Sequence, residues 1–220
     1  MDKTRIINGK AYTRIKICGL QSISDVMAVN EVMPDYAGFV FAKSSRQISE
    51  EIAGRLKHEL APGIVSVGVF VNEEMEKILR LCERRIIDMI QLHGDEDRVY
   101  IDTLRSMIKT PVVKAIRVRS SEDILLAEGM DTEYLLLDAY LEKEYGGSGV
   151  KFDWSLIPEL KKPFFLAGGL NSENVLDAIR RYQPYGIDVS TGVETGGYKD
   201  LVKLRKLVEV IRQSDVDEGL

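Results

Sequence analysis

The chain has 220 residues, of which 45% are hydrophobic and 30% charged, with a formal net charge of −5. That length suits one large domain, and the balance of apolar and charged residues excludes disordered, collagen-like and disulfide-scaffold classes. The acidic balance gives no sign of a nucleic-acid partner, which would need a clustered basic surface to neutralise phosphates.

In chain order, apolar runs of strand length occupy 14–18, 36–41, 65–70, 87–92, 112–118, 134–138, 164–167 and 186–189. Between them, apolar residues recur at helical spacing over 24–32, 49–60, 73–83, 99–108, 122–127, 173–182 and 201–212. Successive strands start about 20 to 30 residues apart, the length of a βαβ unit with its right-handed crossover. The strands are nearly continuous in apolar residues, as in a parallel sheet covered on both faces. An open doubly wound sheet shares this alternation, but eight units favour a single α/β domain over 1–220, a closed (β/α)8 barrel of parallel strands. Its ordered core is expected over about 14–212, after a short N-terminal extension and before an acidic tail that frays.

Cys18 and Cys82 are too few for a disulfide framework, and with His58 and His93 in different segments no metal-ligand spacing emerges. No window approaches the ~18 apolar residues of a membrane span, and the charged N-terminus lacks a signal-peptide core, so a cytoplasmic protein without membrane association is expected.

Active sites of such barrels sit at the C-terminal strand ends. Two glycine-rich stretches fall there: "LAGGLNSENV", with Gly168 and Gly169 and a helix expected at Glu173 capped by Asn171 or Ser172, and "VSTGVETGGYKD", with Ser190, Thr191 and Gly192. Each reads either as a tight turn or as backbone open to a phosphate; both together, after the seventh and eighth strands, favour phosphate. Asp138 ends the apolar run Leu135-Leu136-Leu137, either as a loop cap or as a carboxyl group kept protonated for general acid work. "GGSG" at 146–149 follows in a long loop able to close over a substrate. Cys18, in "RIKICGL", is either a small core residue or a thiolate at the barrel mouth, with Lys16 on the same strand face. His93 either exchanges a proton or bridges backbone groups, Arg46 either covers a helix or grips a carboxylate, and Asp188 either meets hydroxyls or fills a polar strand end.

In combination, "KICGL", "GFVF" followed by Ser45-Arg46, "VGVFVN", "QLHG", "LLDA" with "GGSGVKFDW", "LAGGLNSENV" and "GIDVSTGVE" resemble phosphoribosylanthranilate isomerase of tryptophan biosynthesis. The resemblance runs in order over nearly the whole chain. It implies an Amadori rearrangement of N-(5-phosphoribosyl)anthranilate to 1-(2-carboxyphenylamino)-1-deoxyribulose 5-phosphate, with no metal or other cofactor. By the same resemblance Cys18 is the general base and Asp138 the general acid. Arg46 meets the anthranilate carboxylate, His93 and Asp188 line the ribose, and Gly168, Gly169, Ser190, Thr191 and Gly192 cradle the phosphate. The partner is a small phosphosugar, and the chain a monomer or homodimer. One departure concerns Ser44-Ser45-Arg46, where the family usually has Pro before Arg, so the placement of Arg46 is open. Rival readings are an epimerase-like barrel, whose metal ligands are not in evidence, and an indole-glycerol-phosphate synthase-like one, which would use Lys114. A third is a binding module without turnover.

Overall fold

Residues 6–7, 10–138 and 156–217 are described by a computed structural model. Eight parallel strands close into a barrel in chain order, the last pairing back onto the first. They are β1 (Arg14–Cys18), β2 (Tyr36–Val40), β3 (Val65–Phe70), β4 (Met89–Leu92), β5 (Val112–Arg117), β6 (Tyr134–Asp138), β7 (Phe164–Ala167) and β8 (Gly186–Val189). The helices α1 (Ile23–Val32), α2 (Glu50–Glu59), α3 (Met75–Glu83), α4 (Arg98–Met107), α5 (Ser121–Glu128), α6 (Val175–Tyr182) and α7 (Leu201–Asp217) surround it. The loop expected to act as a lid, 139–152 with its "GGSG", lies outside the described residues.

Strand period decides what the barrel contains. Successive side chains point to opposite faces, and on β6 Leu135 and Leu137 join the outer core beneath the helices while Leu136 joins the inner one. Ile15 and Ile17 of β1 and Ile187 and Val189 of β8 also face outward. Arg14, Lys16, Cys18 and Asp188 therefore point into the barrel. Tyr36, Met89, Val113 and Phe165 pack inside it with Tyr134 and Tyr185 at the rim of the cluster. Such burial contributes about 1.5–3 kcal/mol per large apolar side chain. The apolar plug fills the N-terminal part of the barrel and leaves its other mouth to polar groups.

Local chemistry starts the helices. Ser22 and Ser120 form capping boxes with Asp25 and Asp123, and the Asp97 carboxylate accepts from Tyr100 N. Two expectations are corrected. Helix α6 starts at Val175 rather than Glu173, and neither Asn171 nor Ser172 is its N-cap. Asn171 Oδ1 instead accepts from Glu173 N at 2.8 Å, while Asn174 Oδ1 accepts from Asn171 N at 2.9 Å, a closed polar turn that delays the helix. Helix α7 runs beyond Arg212 to Asp217. It is held there because Asp215 accepts from Thr13 N at 3.2 Å and from Arg212 at 3.1 Å, and because Ser214 is buried.

Candidate active site

The inward positions of β1, β4, β6 and β8 converge on one cavity of about 240 Å³ at the C-terminal mouth. Cys18, His93, Asp138, Gly168, Gly169, Asp188, Ser190 and Thr191, all singled out in the sequence, line it. Gln91, which the sequence reading did not single out, lines it too. Its signals were its place in the "QLHG" motif and its position two residues before His93, hence on the same strand face.

Cys18 is seated by what faces it. It stands opposite Gly38 in the β1–β2 ladder, and a Cβ on residue 38 would lie 2.7 Å from Cys18 Sγ. The missing side chain is the space the thiol uses. Two residues back, Lys16 is 2% exposed and donates to Asp188 Oδ1 at 2.9 Å, the two residues being register partners of β1 and β8. Burial pushes the Cys18 thiol up from its ordinary value; the Lys16 charge opposes this, Asp188 adds to it, and Lys199 opposes it again. Burial also works against the charge on Lys16, but Asp188 and Cys18 outweigh it and raise the Lys16 pKa. The ammonium is thus held charged beside the thiol.

Across the cavity, His93 Nε2 lies 3.2 Å from Asp138 Oδ2, and His93 Nδ1 lies 3.1 Å from Gln91 Nε2. With the Gln91 amide donating to Nδ1, the ring carries its hydrogen on Nε2 and donates it to Asp138. The Asp138 carboxyl group remains 30% exposed, and it lines the cavity.

The two glycine-rich loops touch. A Cβ on Gly192 would collide with the Leu170 carbonyl oxygen, so this glycine lets the β8 loop press against the β7 loop. Asn174 Nδ2 donates to Gly169 O at 3.0 Å and braces the β7 side. Gly192 itself is not among the residues that line the cavity.

Arg46 is the candidate placed apart. It lines a neighbouring cavity of about 190 Å³ with Gln21, Ser45, Gly196, Gly197 and Tyr198. Its guanidinium is engaged by Glu194, with Nε to Oε1 at 2.9 Å and Nη2 to Oε2 at 2.6 Å. Lys114, the lysine a synthase-like reading would need, is excluded from the barrel interior. Val113 and Ala115 point inward, and Lys114 bonds Glu96 at 2.7 Å on the opposite side of the strand. Cys82 packs against the outer core. Among the described residues no group of acidic, His and Cys side chains could hold a metal, and no helix is long and apolar enough to cross a membrane.

A family profile described as N-(5'-phosphoribosyl)anthranilate (PRA) isomerase matches residues 15–210. The chain is 49% identical over 199 residues to the N-(5'-phosphoribosyl)anthranilate isomerase of Endomicrobium trichonymphae, covering 90% of this chain and 98% of that one. The crystal structure of phosphoribosyl anthranilate isomerase from Thermotoga maritima matches with a TM-score of 0.78 at 38% identity, covering 91% of this chain and 99% of that chain. A crystal structure of such an isomerase in complex with reduced 1-(o-carboxyphenylamino)-1-deoxyribulose 5-phosphate matches at 0.76 and 35% identity, covering 91% and 99%. Family profile, relatives and fold agree over most of the length, and the chain belongs to the N-(5'-phosphoribosyl)anthranilate isomerase family.

Proposed function

We propose that this chain converts N-(5-phosphoribosyl)anthranilate to 1-(2-carboxyphenylamino)-1-deoxyribulose 5-phosphate by an Amadori rearrangement. The observation that carries the reading is one cavity bordered by a thiol with a buried ammonium behind it, a histidine-paired carboxyl group and the two glycine-rich loops. A ligand of that skeleton, reduced, is bound in the related isomerase structure.

Asp138 delivers a proton to the ring oxygen as the C1–O bond breaks and the nitrogen lone pair forms an iminium ion. The positive nitrogen acidifies the C2 hydrogen, which the Cys18 thiolate removes, giving an enolamine. Proton return to C1 and loss of the hydroxyl proton yield the ketone, so the net change is an isomerisation. His93 holds one oxygen of Asp138 and leaves the other for substrate. A thiol raised by burial is a stronger base once ionised but is ionised less often, and Lys16 moves this balance toward the thiolate. The Gly168–Gly169 and Ser190–Thr191 loops take the phosphate through backbone and hydroxyl donors. Arg46 takes the carboxylate and Asp188 the ribose hydroxyls.

Freshly made N-(5-phosphoribosyl)anthranilate, followed by loss of its fluorescence, tests the reading. Turnover is expected. Folded protein that binds the reduced product analogue without turning over the substrate would show a binding module instead.

A further inference from the structure

The loop carrying Arg46 has little of its own to hold that side chain in place. Lys43, Ser44 and Ser45 are exposed, and the contact from within the loop is a bond from Arg46 N to Ser44 Oγ at 3.2 Å. The guanidinium is nevertheless fixed, from the segment after β8, the strand on the other flank of β1. Glu194 closes a two-bond fork on Nε and Nη2, and its Oε1 also accepts from Lys199 Nζ at 2.6 Å.

The clamp is built into the interior. The side chains of Glu194 and Lys199 are 6% and 1% exposed, and the backbone of Lys199 is tied to α1 by a 2.8 Å bond from its N to the buried Asp25. Burial pushes the Glu194 carboxyl up, but Arg46 and Lys199 outweigh it and bring it down to about 2. One carboxylate between two cations leaves this triad with a net positive charge, its arginine the most exposed member. The Arg46 stem crosses Gly19 where a Cβ would collide with it, and that same point lies 3.4 Å from Ser190 Oγ, a wall of the cavity holding Cys18. The head of Arg46 is thereby set where the two cavities adjoin.

A guanidinium carries five hydrogens on three edges. Glu194 takes the Nε/Nη2 edge, and among the described residues no acceptor takes the edge made of Nη1 with the second hydrogen of Nη2, which suits a second planar acceptor. We propose that Glu194, backed by Lys199, is a positioning residue that fixes which edge of Arg46 meets the substrate carboxylate, and so sets the preference for a carboxylated aryl amine. The inference rests on the reading of Arg46 as the carboxylate partner. An unclamped arginine must be ordered at the moment of binding, whereas this one is ordered beforehand.

The test compares binding of two stable probes, the reduced 1-(2-carboxyphenylamino)-1-deoxyribulose 5-phosphate and its phenylamino counterpart without the carboxyl group. Glu194→Gln is expected to weaken the carboxylated probe about tenfold or more while changing the other less than about twofold, with Lys199→Met intermediate. Glu194→Asp, which keeps the charge, is expected to recover part of the preference and serves if the glutamine variant does not fold. Equal weakening of both probes, or of neither, overturns the inference. Arg46→Ala separates it from the reading beneath it. If Arg46→Ala abolishes the preference and Glu194→Gln keeps it, the clamp alone is wrong; if Arg46→Ala keeps it, the carboxylate assignment is wrong as well.

Discussion

Gly38 and Cys18 face each other across the β1–β2 ladder so closely that a Cβ at 38 would stand 2.7 Å from the sulfur. The position of the proposed base is set by an absent side chain on the next strand. Gly38→Ala displaces the thiol without introducing charge, so the barrel is expected to fold while kcat falls about 10- to 100-fold, the scale for misplacing a reacting group by an ångström. Circular dichroism and steady-state kinetics check it together. A variant with the wild-type rate would mean the sulfur's position is not what this contact controls.

Removing the acid or the base is expected to act on the chemical step. Cys18→Ser and Asp138→Asn should each lower kcat by about 10²- to 10⁴-fold with little change in KM, as for a positioned proton-transfer group. Product analogue binding measured on both variants separates lost chemistry from lost folding. Retention of the wild-type rate by Cys18→Ser would remove this cysteine from the mechanism.

Burial raises the Cys18 thiol and Lys16 opposes the rise, so ionisation in the free protein should be visible on the alkaline side. The active form of a base is deprotonated, so the fraction of Cys18 able to accept a proton is expected to climb with pH until the thiol is ionised. Lys16→Met removes the opposing charge and leaves Asp188 without its partner; both changes move the thiol further up. Alkylation of Cys18 by iodoacetamide, followed against pH by mass spectrometry, should shift to higher pH in this variant. An unmoved profile would show that Lys16 does not govern the thiol.

The Glu194 carboxyl falls from an ordinary 4.5 to about 2 in the fold. Between those values the unfolded chain binds more protons than the folded one, so the stabilisation by Glu194 is complete above about 4.5 and is lost as pH falls toward about 2. In urea denaturation, the stability gap between wild type and Glu194→Gln should be smaller at about pH 3 than at about pH 7. A gap that does not change with pH would mean the carboxylate contributes shape rather than charge.

Much of the site was legible because strand-end position and period 2 are local properties. Cys18, His93, Asp138 and Asp188 lie at or near the ends of apolar runs, and all four reach one cavity. Arg46 was legible as a residue but not as a geometry. Its loop holds the Arg46 backbone to Ser44, but the guanidinium is fixed by Glu194, 148 positions away. Gln91 shows the same limit, since its place in "QLHG" does not tell which ring it touches, and it acquires meaning through that contact. The start of α6 was missed because Asn171 can serve equally as a helix cap or in a closed turn, and Asn174 decided for the turn.

By itself the sequence determined the alternation of eight strands with helices and the face of each strand that carries polar groups, because both follow from side-chain periodicity along one segment. Closure of the barrel decided the rest. It brought Lys16 to Asp188 across 172 positions and set Cys18 against Gly38. The Asp188 partner that Lys16 finds behind the thiol and the clamp on Arg46 exist only when segments distant in sequence become neighbours, since hydrogen bonds and buried charges act over ångströms of space.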